Sequence, residues 1–274
     1  MSALENTPVV SFKDVDIVFG DNPKSALPLI DAGKTRQEIQ KETGQILGVA
    51  GATFDIYEGE VIVLMGLSGS GKSTLLRGVN GLNPVIRGEV QVHDGERYIN
   101  PETCSEAELR QLRRSRIGMV FQQFGLLPWR TVSENVGFGL ELAGVSQKDR
   151  DAKVKEQLKL VGLAGWGEKY VHELSGGMQQ RVGLARAFAT DAPLLLMDEP
   201  FSALDPLIRD KLQDELLDLA RGGGGQGFAD LQPLGPDPLH VLTLHRRLPP
   251  PRGSQLGRYA RRGCTSVARS FGRS

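Results

Sequence analysis

Residues 60–77 read EVIVLMGLSGSGKSTLLR, and the interpretation of this stretch decides the fold. EVIVLMG (60–66) is a short apolar run of the kind buried on both faces of a parallel sheet, and it stops at a glycine-rich turn. The following STLLRGVNGL has a helical pattern. Between the two, Gly66-Leu67-Ser68-Gly69-Ser70-Gly71-Lys72-Ser73 fits G-x-x-x-x-G-K-[ST], in the strand–turn–helix setting that this motif needs. Its glycines let the backbone wrap around phosphate with successive N–H groups pointing inward. Lys72 is placed to reach the β- and γ-phosphates, and the Ser73 hydroxyl to ligate Mg²⁺. The alternative is a Gly/Ser-rich turn that happens to precede a helix; motif and context together favour the nucleotide.

Two further stretches carry chemistry. LLLMDEP (194–200) is an apolar strand with Asp198 at its carboxyl end, where ligands sit in open α/β sheets. Asp198 is placed to hold a metal through water, and Glu199 to polarise an attacking water as general base. Alone, two acids ending a strand read equally well as solvated turn residues. ELSGGMQQRVGLAR (173–186) sets Gly176 and Gly177 directly before a helical pattern, with Ser175 ahead of them. Free N–H groups and a helix dipole make this a second anion site. A capped amphipathic helix explains Ser175 but not the paired glycines.

Outward from these motifs, VVSFKDVDIVF (9–19) and ILGVAGATFDI (46–56) read as strands, separated by an insertion in which Pro23 and Pro28 precede a polar helical run, DAGKTRQEIQKE. GEVQV (88–92) reads as a strand, SEAELRQLRR (105–114) as a Ser-capped helix, and IGMVFQ (117–122) as a strand closed by Gln122. Residues 131–163 are mostly helical. GGMQQRVGLARAFAT follows as a helix, PLLLMD (193–198) as a buried strand and DPLIRDKLQDELLDLA (205–220) as an amphipathic helix. Strands alternating with helices imply an α/β layer fold with a parallel core sheet.

At 274 residues, 39% hydrophobic and 24% charged, the chain has ordinary globular composition. It has room for one large domain or two small ones. No stretch approaches ~18 apolar residues and MSALENTPVV lacks a basic-then-apolar signal pattern, so a cytosolic chain is expected. Cys104 and Cys264 stand in unrelated contexts, against a disulfide framework or a metal site. The zero formal charge hides a split. Residues 222–274 hold eight Arg, two Asp, no Lys and no Glu, leaving 25 basic and 31 acidic side chains in the rest. That tail also has ten Gly and six Pro, a low-complexity composition in which only HVLTLH (240–245) resembles a strand.

A P-loop, Gln122, LSGGMQ, Asp198-Glu199 and SALD (202–205), in this order, resemble the ATP-binding-cassette ATPases, whose signature is LSGGQ; Met178 departs from it and Gln179 supplies the glutamine. The match covers residues 9–220. It implies a P-loop NTPase with a mostly parallel core sheet, an antiparallel β subdomain and an inserted α-helical subdomain at about 125–170, within a domain spanning 1–221. It implies ATP and Mg²⁺ as cofactors, with Gly66 through Ser73 and Thr74 on the phosphates, Ser73, Gln122 and Asp198 at the metal, Glu199 and Gln122 in catalysis, and Phe19 stacked on adenine, a core aromatic being the other reading. Ser175, Gly176, Gly177 and Gln179 would cap the γ-phosphate of ATP held by a second copy, in a head-to-tail sandwich, and Asp205 would contact that copy's P-loop.

MGLSGSGKSTLLRGVNGL, FQQFGLLPWRTVSENVGFGLELAGV, FSALDPLIRDKLQDELL and the insertion after Phe19 resemble the ATPase subunits of importers for glycine betaine, choline and related quaternary amines. The implied partners are membrane permease subunits, docked on PWRTVSENVGFGLEL, and a secreted binding protein. The implied place is the cytoplasmic face of the membrane, with no nucleic-acid partner. The resemblance also implies another apolar strand ending in a histidine near position 232, where the chain instead reads GFADLQPLGPDPLH. We therefore expect residues from about 221 onward to be translated out of frame. A disordered basic arm is the rival reading of the tail. A non-catalytic nucleotide-binding module and a soluble cassette ATPase unrelated to transport are the rivals for function.

Overall fold

The computed structural model describes residues 7–58, 60, 62–64, 67, 69–201, 204, 206–210 and 240–241. Its contacts divide these between two units, one within Met1–Glu58 and Leu64–Arg113, the other within Gly59–Val63 and Arg114–Ala268.

The first unit is built on a long central strand. β1 (Val10–Phe19) is paired along both edges, and most of its side chains are buried. An insertion follows: a short 3₁₀ turn (Pro23–Ala26), then α1 (Leu27–Asp31) and α2 (Arg36–Thr43). The expected helical run over 31–42 is interrupted by a turn at 32–35, because Thr35 forms a capping box with Glu38 and restarts the helix at Arg36. Ala26 and Ile39 seal the insertion onto Val18 and Leu47. Arg87 reinforces it, donating to the buried carboxylate of Asp16 at 2.5 Å and to Asp31 at 2.6 Å.

β2 (Ile46–Ile56), β4 (Arg87–His93) and β5 (Tyr98–Ile99) complete an antiparallel sheet in the order β2-β1-β4-β5, with Phe12 stacked on Phe54 at 4.5 Å. Before β4 come β3 (Val63–Leu64) and α3 (Lys72–Val79), which buries Leu75, Leu76 and Val79 and packs on β2 and β4. Among the described residues, strand geometry within 60–66 covers only Val63 and Leu64. α4 (Glu106–Ser115) begins at the expected Ser105 cap, whose Oγ donates to Glu108 at 2.7 Å.

The second unit starts with β6 (Ile117–Val120), parallel to a later strand, β7 (Leu194–Met197), in register from Ile117↔Leu194 to Val120↔Met197. All four β7 side chains are buried, as a continuous apolar run requires. Between these strands lie α5 (Val132–Leu142), α6 (Gln147–Leu160) and α7 (Gly176–Ala189). Val132, Val136, Val154, Leu158, Val182, Leu184 and Phe188 join Leu195 and Met197 in one core. At roughly 1.5–3 kcal/mol for each large apolar side chain fully buried, this core holds the helices to the sheet. β7 also pairs antiparallel with β8 (His240–Val241) through Met197↔Val241, so the HVLTLH segment supplies a strand. Residues 206–210 are helical, and the rest of the expected 205–220 helix lies outside the described residues, as does the remainder of the tail.

Candidate functional site

The first unit carries the phosphate loop. Gly69 at φ +78° and Gly71 at φ +96° hold left-handed backbone that favours glycine. Gly71 is also the N-cap of α3, and a Cβ there would run into the Gly48 carbonyl oxygen of β2. The loop is thus seated directly on the sheet. Ser70 N–H closes the turn onto Leu67 O at 3.1 Å, and Lys72 lies buried with Nζ donating to Leu67 O at 2.8 Å and Ser70 Oγ at 3.3 Å. A helix N-terminus, a glycine cradle and a buried ammonium reaching into the turn form a donor set that suits a polyphosphate. Ser73 and Thr74 lie in the first turn of α3; Gly66 and Ser68 lie outside the described residues.

Phe19 ends β1 half-buried. A Cβ on Gly48 would meet Phe19 Cε2 at 3.0 Å and Thr74 Cγ2 at 2.8 Å, so the ring and the start of α3 converge on one glycine. Phe19 therefore stands beside the start of α3, at the end of the central strand β1.

In the second unit, the carboxyl end of β7 is held from two sides. Asp198 is fully buried and its N–H donates to Val120 O at 3.0 Å, extending the ladder with β6. Glu199, half-buried at φ +52°, turns the chain sharply off the strand. Its Oε2 accepts from Gln122 Nε2 at 2.9 Å and its carbonyl from Gln180 Nε2 at 3.2 Å. The structure thus joins two residues expected to act together, Gln122 and Glu199, and adds Gln180 of α7.

Arg186, also on α7, donates to Phe124 O at 2.8 Å and Gly125 O at 2.7 Å, where the chain after Gln122 runs through two consecutive left-handed residues. Burial pushes its guanidinium below its ordinary pKa, and the two carbonyls compensate the charge. Neither Gln180 nor Arg186 was singled out from sequence. Six residues apart on α7, they share no helix face, and no motif marks them, because each acts through a carbonyl that only the fold brings near.

The signature stretch forms the start of α7, with Ser175 as N-cap and its Oγ accepting from Met178 N–H at 3.4 Å. Gly176 and Gly177 lie inside the first helical turn and not ahead of it, because the cap geometry begins at Ser175. Their amides belong to the set that a helix leaves without internal acceptors. A Cβ on Gly176 would meet nothing within 4 Å. Gln179 directs Nε2 back to Val171 O at 3.1 Å and Leu174 O at 3.2 Å, bracing the loop before the helix. Asp205 lies outside the described residues.

The helical part of this unit also holds a groove of about 1040 Å³ whose lining includes Trp129, Arg130, Glu134, Arg150 and Glu168. Trp129 is 71% exposed at its mouth.

Residues 49–202 match the sequence profile of the ABC transporter family. The chain belongs to that family. Among its relatives are the glycine betaine transport ATP-binding protein OpuAA of Bacillus subtilis, 51% identical over 80% of this chain and 51% of its own, and the glycine betaine/proline betaine transport system ATP-binding protein ProV of Escherichia coli, 49% identical over 77% and 52%. The trimethylamine N-oxide transport system ATP-binding protein TmoW of Ruegeria pomeroyi is 46% identical over 78% and 61%. The chain thus spans about half the length of the first two. Among solved structures, the dimer of an ATP-binding cassette in a post-hydrolysis state with ADP and Pi superposes with a TM-score of 0.65 at 32% identity, covering 78% of this chain and 84% of that one. The ABC transporter assignment carries the P-loop NTPase fold with it, and none of the described helices is long and apolar enough to cross a membrane.

Proposed function

We propose that this chain is the ATP-hydrolysing, energy-coupling subunit of an importer for glycine betaine, choline or a related quaternary amine. Two copies work head to tail on the cytoplasmic face of the membrane, with permease subunits and a secreted binding protein. Lys72 and the loop amides hold the β- and γ-phosphates, and Ser73, Gln122 and Asp198 hold Mg²⁺, which neutralises charge on the phosphate oxygens. Phe19 stacks on adenine. Glu199 accepts a proton from the water that attacks the γ-phosphorus as the bond to ADP breaks. Ser175, Gly176, Gly177 and Gln179 of one copy cover the γ-phosphate bound by the other, and Asp205 contacts that copy's P-loop. The permease docks on residues 128–142, where Trp129 stands exposed at the groove.

The observation that carries this reading is the 2.9 Å hydrogen bond from Gln122 to Glu199. It couples the residue expected to sense the γ-phosphate to the residue expected to activate water. That its relatives are named for glycine betaine, proline betaine and trimethylamine N-oxide transport supports the substrate class. The test is ATP-dependent dimerisation and phosphate release by the purified chain and its Glu199→Gln variant. The variant should form a stable dimer with ATP and release phosphate far more slowly; a variant that stays monomeric with ATP overturns the sandwich.

A second reading, an ATP-binding module with impaired hydrolysis, draws on β8. Among the described residues, the segment pairing antiparallel with β7 at Met197 is His240–Val241, and the region near 232, where the resemblance implies a histidine, lies outside them. Normal ATP binding with negligible phosphate release selects this reading. Resequencing the gene across codon 221 tests the out-of-frame tail.

A further inference from the structure

The insertion between β1 and β2 reaches the phosphate loop through a side chain of α2. Arg36, the first residue of α2, donates from Nη2 to Gly48 O at 2.8 Å and to Ser70 O at 2.8 Å, and from Nη1 to Gly69 O. All three acceptors are backbone carbonyls. Two belong to the turn that cradles phosphate, and the third is the oxygen against which Gly71 is seated. We infer that Arg36 is a positioning residue that holds the phosphate loop in its nucleotide-binding shape from outside.

The physical argument starts from peptide-plane geometry. A peptide plane presents its N–H and its C=O in opposite directions, so holding the Gly69 and Ser70 carbonyls fixes the directions of the Ser70 amide, which closes the turn onto Leu67 O, and of the Gly71 amide. Three oxygens gathered on one guanidinium fix two successive peptide planes of the turn, and tie them to β2. The planar fork of arginine can serve several acceptors in this way, whereas an ammonium acts as a point donor. Ordering the loop before binding lowers the entropy that the nucleotide must otherwise supply.

The placement of Arg36 is itself well determined. The Thr35–Glu38 capping box sets where α2 starts, with Thr35 N–H donating to Glu38 at 2.7 Å. Ile39, three residues on, is fully buried against Val18 and Leu47. Gln45 closes the base of the insertion by accepting from Asn22 N–H at 3.1 Å, and Arg87 ties α1 to β1 and β4. The insertion is a rigid bracket, and Arg36 is its contact with the loop.

The inference rests on the nucleotide reading of the loop, and the test keeps the two apart. ATP binding by the intact chain is measured by calorimetry, with steady-state phosphate release alongside, for wild type, Arg36→Ala and Arg36→Lys. Arg36→Ala should weaken ATP binding and raise KM about tenfold, near the effect of one charge-assisted hydrogen bond, while kcat stays within about twofold. Arg36→Lys should recover only part of the loss. The salt dependence of ATP affinity should match wild type, because a guanidinium bound to carbonyls does not touch phosphate.

Wild-type affinity in Arg36→Ala, or full recovery in Arg36→Lys, overturns the inference. A flattened salt dependence in Arg36→Ala also overturns it, by making Arg36 a direct phosphate ligand. A wild-type chain that binds no ATP overturns the nucleotide reading as well. Should Arg36→Ala fail to fold, Arg36→Lys at wild-type affinity is enough to overturn the positioning role.

Discussion

The phosphate loop and the signature turn both present backbone amides at the start of a helix, but they differ in what their glycines answer to. At Gly71 the backbone is left-handed and a Cβ would strike Gly48 O, so the chain's own packing demands glycine. At Gly176 the residue is exposed, its φ lies outside the left-handed set and a Cβ would have open space. Alanine is worth up to about 1 kcal/mol more than glycine inside a helix, so the turn gives up stability that its surroundings do not require it to lose. The first loop is shaped from within. The second carries a glycine that its described neighbours do not require, and the proposed sandwich would account for it.

Substitutions can break or sharpen this contrast. The largest effect is expected from Glu199→Gln, which leaves both glycine turns intact and removes the proposed base. Phosphate release should fall by about 10²–10⁴-fold, the usual range for a general base. Turnover within a few-fold of wild type would place the base elsewhere. Next comes Gly71→Ala, where left-handed strain and overpacking against Gly48 together cost about 2–4 kcal/mol in the binding-competent loop. Calorimetry should show ATP affinity reduced by about thirty- to a thousandfold.

Gly176→Ala is the discriminating case. Its melting temperature should stay within about 2 °C of wild type, since a surface change away from special features usually alters stability by no more than ~0.5 kcal/mol. Single-copy ATP binding should be unchanged, while phosphate release falls several-fold because the covering surface no longer closes. A drop of many degrees would show that Gly176 is required by its own fold, and the contrast would fail.

The smallest effect lies away from both turns. Hydrogen bonds from the Ser105 hydroxyl and backbone N–H, then from Arg97, lower the pKa of Glu108 from 4.5 to about 2. A depressed carboxylate contributes stability above its unfolded pKa and loses it as pH falls through the folded one. Acid titration of unfolding should therefore show a slope between about 4.5 and 2 that Glu108→Gln flattens, with ATP binding untouched.

Much of this architecture was legible before any coordinates. β2 matches its expected limits because β-branched and aromatic residues, Ile46, Val49, Thr53, Phe54 and Ile56, recur along it from end to end, and β7 reads as buried because nothing polar interrupts Leu194–Met197. β5 was missed, since two residues carry no periodicity. The split in the insertion was missed because the signal is the reciprocal Thr35–Glu38 cap inside a polar run, and polar residues read as helix throughout. Among site residues, the phosphate loop and acidic pair stand out as motifs. Arg36, Gln180 and Arg186 do not, because each acts through carbonyls brought near by the fold, at separations of 12 to 62 residues. A lone arginine on a polar helix looks like any solvated charge.

Glu199 sits at φ +52°, a conformation that costs a non-glycine residue of order 1–3 kcal/mol. Selection of this protein for heat resistance alone would accordingly enrich Glu199→Gly, which relaxes the main chain and deletes the carboxylate in one step. Such a library would drift toward sturdier, inert molecules, and thermal screening here needs a turnover assay run beside it.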